Sequence, residues 1–295
     1  MNKIAIIGAG RVGETAAQML AEKETCREIA LLDVREDAAR GAALDICQTS
    51  PFFDFDTRVY GSENPVVIAD ADLVVVTAGL PRKPGMSRSD VLEANVRILD
   101  GILDHVLEFA PDSTLLIVSN PVDVLTFYAW KKTGWDRSRV FGQAGVLDAS
   151  RMANFIAQET GFSSMDITTL VLGGHGDTMV PLPRYCTVNG IPVRQFIDQE
   201  KLEEIIARTR DGGAEILALR KTSSAYDAPG AAVVAMADAI SHNRKRILPC
   251  VALLEGEYQE SDIAMGVPCI LGDGGLEKVV ELQLNEDELA LFRQS

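Results

Sequence analysis

A histidine set among glycines is the strongest chemical feature of this sequence. His175 lies in the glycine-rich segment 173–182, directly after an apolar run at 168–172. Imidazole gains and loses a proton near neutral pH, so a histidine in such a turn is a candidate general acid or base. A single histidine more often has a structural role, and the assignment therefore depends on which other groups accompany it.

An acid and an arginine provide the first of these groups. Asp148 and Arg151 lie three residues apart in a predicted helix, so one helix face can present both side chains. An ordinary ion pair is the structural alternative. In the chemical alternative, Asp148 orients the histidine and Arg151 binds a substrate carboxylate through two parallel hydrogen bonds.

A basic loop provides further candidates. The segment 79–89 contains two glycines, two prolines and three basic residues, and it follows a predicted strand. A solvated loop is one interpretation. An anion-binding lid fits better, because the chain has a formal net charge of −15 and the glycine motif at residues 8–13 predicts a nucleotide cleft nearby. Arg82 and Arg88 are six residues apart and can therefore contact different ends of one substrate.

A glycine motif between the first predicted strand and the first predicted helix indicates a nucleotide site. Its glycines allow a tight turn, a close approach of the backbone to a pyrophosphate, and close packing of helix on strand. The N-terminus of the helix then faces the phosphates. The motif consists of Gly8, Ala9, Gly10, Arg11, Val12 and Gly13.

The second predicted strand ends in an acid. Asp33 is placed to bind the hydroxyls of the adenine ribose, and its charge would repel a 2′-phosphate. The sequence therefore predicts NAD rather than NADP, a preference that the nearby Arg35 would soften.

Two further strand ends should line the same crevice. The segment 77–79 follows the strand at 73–76, and Ser119, Asn120 and Pro121 follow the strand at 115–118. Ligands of open α/β sheets bind outside the carboxyl ends of the strands, which places both segments near a nicotinamide. Pro121 holds Asn120 extended and permits a cis bond; a simple turn residue is the alternative for Asn120.

The pattern of predicted elements gives the fold. Apolar runs alternate with amphipathic helices in the first half, as in a parallel α/β sheet. We predict an α/β protein in which a Rossmann-type parallel-sheet domain (1–145) precedes an α+β catalytic domain (146–295). The predicted strands are 4–7, 29–32, 73–76, 115–118, 166–172, 182–188 and 247–254. The predicted helices are 15–23, 91–109, 148–160, 199–220, 230–243 and one from 286, capped by Asn285.

Charge, hydrophobicity and cysteine content argue against several classes of protein. The chain has 295 residues, 47% of them hydrophobic, and a formal net charge of −15, which argues against nucleic acid as a partner. No apolar stretch is long enough to span a membrane, and the first residues enter a strand at once, leaving no room for a signal peptide. We expect a cytoplasmic protein. The five cysteines lack CxxC spacing and indicate reduced thiols, with no disulfide framework and no metal site.

With these segments in order, the chain resembles the lactate/malate dehydrogenase family over essentially its whole length. It is most similar to the lactate-dehydrogenase-like malate dehydrogenases of bacteria and archaea. The motifs that carry the resemblance are Gly8-x-Gly10-x-x-Gly13, residues 81–88 (PRKPGMSR), 118–123 (VSNPVD), 147–151 (LDASR), 174–178 (GHGDT) and 255–258 (EGEY).

The resemblance implies a role for each residue of the reacting site. His175 would exchange the proton of the substrate hydroxyl, and Asp148 would hold and stabilise its imidazole. Arg151 would bind the carboxylate next to the reacting carbon. Arg88 would close over the site and polarise the carbonyl, and Asn120 would hydrogen-bond the substrate oxygen.

The resemblance also implies the cofactor, the substrate and the assembly. Asn95, Val118, Ser119 and Asn120 would contact NAD. Arg82 would pair with the second carboxylate of oxaloacetate, whereas lactate enzymes typically carry glutamine there; this predicts a dicarboxylate, malate or oxaloacetate. Relatives are homodimers or homotetramers, and the apolar faces around 91–109 and 230–243 are the candidate subunit contacts.

Three alternatives remain beside a malate dehydrogenase. Arg82 argues against a lactate or other 2-hydroxy-acid dehydrogenase. An NAD-dependent glycosidase would use a metal held by cysteine and histidine, and no such pair stands out. A silent NAD-binding protein would be expected to lack Asp148, Arg151 or His175. Ser223 and Asp227 depart from the family pattern in a segment predicted to line the substrate pocket.

Overall fold

One nine-stranded sheet runs through both halves of the chain. The structure is a computed structural model that describes residues 1–80 and 87–295, apart from the side chains of Glu36 and Arg88. Within these residues the strand order is β14-β13-β12-β6-β5-β4-β1-β2-β3. The sheet strands are β1 (Lys3–Ile7), β2 (Glu28–Leu32), β3 (Arg58–Ser62), β4 (Leu73–Val76), β5 (Thr114–Ile117), β6 (Val140–Gln143), β12 (Arg246–Glu255), β13 (Ser261–Gly272) and β14 (Gly275–Val279).

The first six strands are parallel, and the order of the chain reverses between β1 and β4. Ile4 pairs with Ile29 of β2 on one side and with Leu73 of β4 on the other. All four residues of β4 are buried, as expected of a strand covered by helices on both faces. The carboxyl ends of β1 and β4 therefore open a crevice at the reversal, the usual ligand site of this architecture.

Helices of the first half cover this parallel sheet. They are α1 (Arg11–Glu22), α2 (Glu36–Gln48), α4 (Arg88–Phe109) and α5 (Val122–Thr133). The short α3 (Ser50–Phe53) follows α2 and buries none of its residues. α1 buries small residues, which lets α8 (Asp227–Ser241) approach so closely that a Cβ on Gly230 would lie 2.9 Å from Thr15 Cγ2. The apolar faces of α4 and α8 are largely buried within the same chain. Whether residues of these helices also contact another subunit stays a prediction.

The second half adds antiparallel strands and further helices. β12 pairs with β6 through Cys250 and Gln143, so the ladder continues across the predicted boundary at 145/146. The helices are α6 (Gly145–Thr160), α7 (Gln199–Arg220), α8 and α9 (Glu286–Gln294). The small strands are β7 (Ile167–Thr168), β8 (Val171–Leu172), β9 (Val180–Pro181), β10 (Thr187–Val188) and β11 (Ile191–Pro192).

The predicted elements agree with the structure except in the small strands. The bounds of α7 are as predicted, and Asn285 caps α9 through its side chain. The single strand predicted at 182–188 is wrong: residues 183–185 form a 3₁₀ turn that opens with Pro183, which has no N–H to donate to a sheet. The run at 166–172 is likewise broken into β7 and β8.

Candidate active site

Glycines shape the loop that carries His175. Gly173 has φ +80°, and Gly266 of β13 approaches it so closely that a Cβ on Gly266 would lie 2.4 Å from Gly173 O. The backbone N–H of Gly174 donates to Ser295 Oγ at 2.7 Å. Only a residue without a side chain fits the approach at Gly266, which fixes where the histidine leaves the sheet.

His175, Asp148 and Arg151 form one hydrogen-bonded cluster. Oδ2 of Asp148 lies 2.9 Å from Nδ1 of His175, and Oδ1 of the same carboxylate accepts from Nη1 of Arg151 at 3.0 Å. Asp148 and Arg151 share one face of α6, as their spacing predicts. The carboxylate is 2% exposed and the histidine side chain 15%. The predicted constellation is therefore brought together in a largely water-excluded site.

The electrostatics of the cluster favour a protonated imidazole. Burial by itself lowers the pKa of His175, but the charge and the hydrogen bond of Asp148 raise it. Arg151 opposes this effect and Asp123 adds to it, and the net pKa is raised above the ordinary value. An acid/base group with this shift keeps its proton to higher pH than a free histidine.

Arg151 lies against the glycines of α7. A Cβ on Gly212 would meet Arg151 Cδ at 3.1 Å, so the glycine leaves room for the arginine stem. Arg151 Nε is buried without a partner among the described residues. The side chain of Arg151 is 12% exposed, so part of it remains open to an anionic group of a ligand.

The glycine turn after β1 has the geometry that its sequence predicts. Gly8 has φ +110°, and a Cβ there would lie 2.6 Å from Ala78 N; a Cβ on Gly13 would lie 1.9 Å from Gly8 O. A Cβ on Gly10, by contrast, would have no described atom within 4 Å. The open side at Gly10, where α1 begins, fits the pyrophosphate of a dinucleotide.

Asp33 joins the glycine turn to the end of β2. Its Oδ2 accepts from the N–H of Ala9 at 2.9 Å, and its Oδ1 accepts from the N–H and Nε of Arg35 at 3.0 and 3.3 Å. The carboxylate is 11% exposed and the side chain of Arg35 68%. The acid is therefore fixed beside the turn, where a ribose is expected.

Comparisons with known proteins give the family. Residues 2–142 match the lactate/malate dehydrogenase NAD binding domain, and residues 145–295 match the lactate/malate dehydrogenase alpha/beta C-terminal domain. The chain belongs to the lactate/malate dehydrogenase family. Fold class, family and NAD as cofactor are thereby confirmed, and the chain is an NAD-dependent dehydrogenase.

Individual members of the family are similar over nearly the full chain. Malate dehydrogenase of Thioalkalivibrio sulfidiphilus is 65% identical over all 295 residues, which span 96% of that protein. The structure of malate dehydrogenase from Salinibacter ruber has 45% identity and a TM-score of 0.95, covering 99% of this chain and 93% of that one. A Cryptosporidium parvum lactate dehydrogenase complexed with lactic acid and NAD has 36% identity and a TM-score of 0.95, covering 99% and 94%.

In this dehydrogenase the strand ends near the glycine turn are held together by Asn95. Its Oδ1 accepts from the N–H of Leu80 at 2.7 Å, and its Nδ2 donates to the carbonyl oxygens of Leu80 and Asn120 at 3.2 and 2.7 Å. Asn95 is buried, so its side chain serves the backbone of two strand-end segments. Direct contact of Asn95 with the cofactor stays a prediction.

Asn120 and Ser119 lie at the end of β5, as predicted. The bond between Asn120 and Pro121 is cis, and the residue Asn120 is exposed. Ser119 is buried and its hydroxyl donates to Val76 O at 3.2 Å. Val118, half-buried, precedes them. Asn120 is thus available to a ligand, whereas the hydroxyl of Ser119 contacts the protein.

Two of the predicted arginines cannot be placed. Arg82 lies outside the described residues, as does the side chain of Arg88. The backbone of Arg88 begins α4, immediately after Ser87, whose hydroxyl accepts from the N–H of Asp90 at 3.1 Å. Their roles rest on the sequence.

The segment predicted to line the substrate pocket reaches the glycine turn. The guanidiniums of Arg11 and Arg220 lie 5.1 Å and 4.0 Å from the centroid of the Tyr226 ring. Asp227 pairs with Arg220 and lines a cleft between α1 and α8. Ser223 is half-buried. Asp227 is thus placed beside α1, and its contact with substrate stays a prediction.

Two residues of the site were not assigned a role from the sequence. Thr77 Oγ1 donates to Gly8 O at 2.9 Å and so ties β4 to the glycine turn. Asp123 accepts the backbone N–H of His175 at 3.0 Å. Both residues lie in segments that the sequence places at strand ends, 77–79 and 118–123. Their contacts reach backbone groups more than 50 residues away, and no local sequence pattern predicts such contacts.

Two classes of feature are not found in the described part of the chain. No helix there is long and apolar enough to cross a lipid bilayer. Nor do residues 1–80 and 87–295 contain a group of three or more histidine, cysteine, aspartate or glutamate side chains able to hold a metal ion. All five cysteines are free thiols, four of them buried.

Proposed function

We propose that this enzyme catalyses the reversible oxidation of (S)-malate to oxaloacetate with NAD. The observation that carries the proposal is the double contact of Asp148, which bonds His175 through one oxygen and Arg151 through the other. This arrangement places a proton-transfer group beside a carboxylate-binding group, as a 2-hydroxy acid requires.

His175 acts as the acid/base. Because Nδ1 lies against Asp148, Nε2 is the nitrogen that takes the hydroxyl proton of malate and returns it to oxaloacetate. Asp148 fixes the tautomer and stabilises the imidazolium that forms. NAD⁺ supplies the hydride acceptor when bound, and the open side at Gly10 with the fixed carboxylate of Asp33 fits its pyrophosphate and ribose.

Three arginines bind and polarise the substrate in this proposal. Arg151 binds the carboxylate next to the reacting carbon. Arg88 polarises the carbonyl oxygen of oxaloacetate, and Asn120 hydrogen-bonds the same oxygen. A donor aimed at developing charge in a water-excluded site commonly contributes about 3 kcal/mol.

Arg82 selects the dicarboxylate. A monocarboxylate such as pyruvate would leave its guanidinium without a partner, which costs several kcal/mol if the site is closed. The names of the relatives support this choice: the protein of T. sulfidiphilus and that of S. ruber are both called malate dehydrogenase.

A direct assay tests the substrate. NADH oxidation is followed by absorbance with oxaloacetate and, in parallel, with pyruvate at equal concentration. We expect a preference for oxaloacetate of at least about 100-fold in kcat/KM. Equal rates, or a preference for pyruvate, would contradict the substrate while leaving the role of His175 intact.

A cytoplasmic homo-oligomer, dimeric or tetrameric, is the setting that we propose for this activity. Its support is the exposure of large apolar side chains on two consecutive helices, since such side chains are common where subunits meet. They are Leu44 on α2 and Phe52 and Phe53 on α3. Light scattering of the wild type and of Phe52→Asp tests this surface: we expect a smaller particle for the variant, and an unchanged mass would contradict it.

A further inference from the structure

A second carboxylate contacts the histidine loop besides that of Asp148. Asp123 lies in the first turn of α5, directly after the cis peptide between Asn120 and Pro121. Its Oδ2 accepts the backbone N–H of His175 at 3.0 Å. This bond links the end of β5, where the cofactor is expected, to the loop that carries the acid/base.

The other oxygen of this carboxylate is buried and unused. Asp123 Oδ1 has no hydrogen-bond partner among the described residues. A buried charge without full compensation is costly, and sequences rarely keep one at a position where an amide or an apolar side chain would serve. A structural anchor for one N–H needs only a neutral acceptor. The negative charge of Asp123 acts on the N-terminus of α5, in whose first turn it lies, and on the charged groups of the histidine loop.

The groups around His175 indicate what the charge does. Asp148 and Arg151 face it from α6, and Asp123 faces it from α5; Arg210 of α7 contacts the same loop at Met179 O, at 3.2 Å. Arg151 lowers the pKa of His175, and the negative charge of Asp123 raises it. Burial raises the pKa of Asp123 itself, and the imidazolium of His175 acts in the opposite direction. The two protonation equilibria are therefore linked.

We propose that Asp123 is a positioning residue with two separable effects: its oxygen fixes the backbone of His175, and its negative charge stabilises the protonated imidazole against Arg151. The proposal rests on the proposed acid/base role of His175 for its kinetic consequence. Its electrostatic part concerns the resting enzyme and needs no substrate.

Two variants separate the effects. Asp123→Asn keeps an oxygen that accepts the His175 N–H but removes the charge, whereas Asp123→Ala removes both. We expect Asp123→Asn to lower the pKa of His175 by about 0.5 unit or more. We expect Asp123→Ala to lower it similarly and also to reduce kcat/KM for oxaloacetate about 10-fold at a pH well below that pKa, because the loop loses its anchor.

The pKa is measured by NMR on enzyme labelled at its histidine rings, without substrate. The chain has only three histidines, so the resonance of His175 is assigned by its loss in His175→Ala. Asp112→Asn, in the exposed turn before β5, removes one negative charge elsewhere and should leave the titration unchanged. Thermal unfolding identifies any variant that fails to fold.

The titration decides the proposal. An unchanged pKa of His175 in folded Asp123→Asn would overturn it, because a neutral acceptor would then serve equally well. A lowered pKa together with a wild-type value in Asp112→Asn supports it. If the enzyme instead prefers pyruvate, the substrate proposed above fails, but the NMR result for Asp123 keeps its meaning.

Discussion

Nδ1 of His175 lies 2.9 Å from Oδ2 of Asp148, and the same carboxylate extends its other oxygen to Arg151. One buried acid thus orients the group that moves a proton and the group that binds a carboxylate. Because both contacts arise from α6 and a single loop, the geometry of the reacting site is fixed by very few elements of the chain.

Replacing His175 should separate chemistry from cofactor binding. We expect His175→Ala to lower kcat for oxaloacetate reduction by about 100- to 10,000-fold, since the imidazole is the proposed donor of the proton. NADH binding, measured by fluorescence titration, should change little. His242→Ala removes an exposed histidine at the end of α8 and should retain wild-type activity. Near-normal turnover of His175→Ala would contradict the acid/base role.

The pH profile should follow the raised pKa of His175. Reduction of oxaloacetate needs the protonated imidazole, so kcat/KM is expected to fall as pH rises through that pKa, above the ordinary value of 6.5. The contribution of the His175–Asp148 ion pair to the free energy of unfolding changes with pH in the same direction. It is fully present below the pKa of His175 in the unfolded chain, and it is lost as pH rises through the pKa of His175 in the folded protein.

Asp148→Asn tests the cause of this shift. Without the carboxylate charge the pKa of His175 drops, so the fall in kcat/KM moves to lower pH, and the rate falls by about 100-fold or more. Asp238→Asn disrupts a more exposed Asp–His pair, with His242, and is the matched control. A profile that does not move in Asp148→Asn would rule out Asp148 as the source of the raised pKa.

Arg82→Gln should change substrate selection. We expect kcat/KM for oxaloacetate to fall by about 100-fold or more, while that for pyruvate falls far less, because only oxaloacetate carries a second carboxylate. Lys83→Gln removes the same charge from the same segment and should affect both substrates little. Equal losses with the two substrates would show that position 82 does not bind the second carboxylate.

Asp33→Ser should weaken the discrimination against NADP. Removal of the negative charge is expected to raise the ratio of kcat/KM for NADPH to that for NADH about 10-fold, since Arg35 remains beside the site. The KM for NADH should rise as well, because Ala9 N–H loses its acceptor. Asp37→Ser, on the exposed side of α2, is the control. An unchanged ratio would mean that the acid is not near the 2′-position.

Gly10→Ala should weaken NADH binding without destabilising the fold. A Cβ at this position meets no described atom within 4 Å, so only an approaching ligand would encounter it. We expect the Kd of NADH to rise about 10-fold or more and the melting temperature to stay near wild type. Gly13→Ala places a Cβ 1.9 Å from Gly8 O and should destabilise the protein itself. Unaltered NADH binding in Gly10→Ala would show that the pyrophosphate does not bind next to Gly10.

The sequence predicts best those features that depend on local pattern. The buried strand β4, the helix α7 and the cap at Asn285 follow from hydrophobic period and capping chemistry, and the structure contains all three. The pairing of Asp148 with Arg151 follows in the same way from their spacing on one helix.

Features that depend on distant contacts could not be predicted in this way. Strands β13 and β14 were not predicted, because their pairing depends on neighbouring strands: β13 pairs with β12, and β14 pairs with β13. The hydrogen bond from the His175 backbone to Asp123 joins residues that are remote in sequence. Asn95 likewise bonds the backbone of Leu80 and Asn120, and a bond to a backbone group leaves no pattern in the side chains.

The pairing of β12 with β6 has a mechanical consequence. A hinge rotation of one half of the molecule against the other would break main-chain hydrogen bonds of a continuous ladder. In that ladder Cys250 pairs with Gln143, and Val251 pairs with Gly142. Such a motion is costly compared with the displacement of a surface segment. We therefore expect substrate entry and product departure to depend on local segments around the crevice, where the rate of turnover can change while the sheet that aligns the reacting groups stays the same.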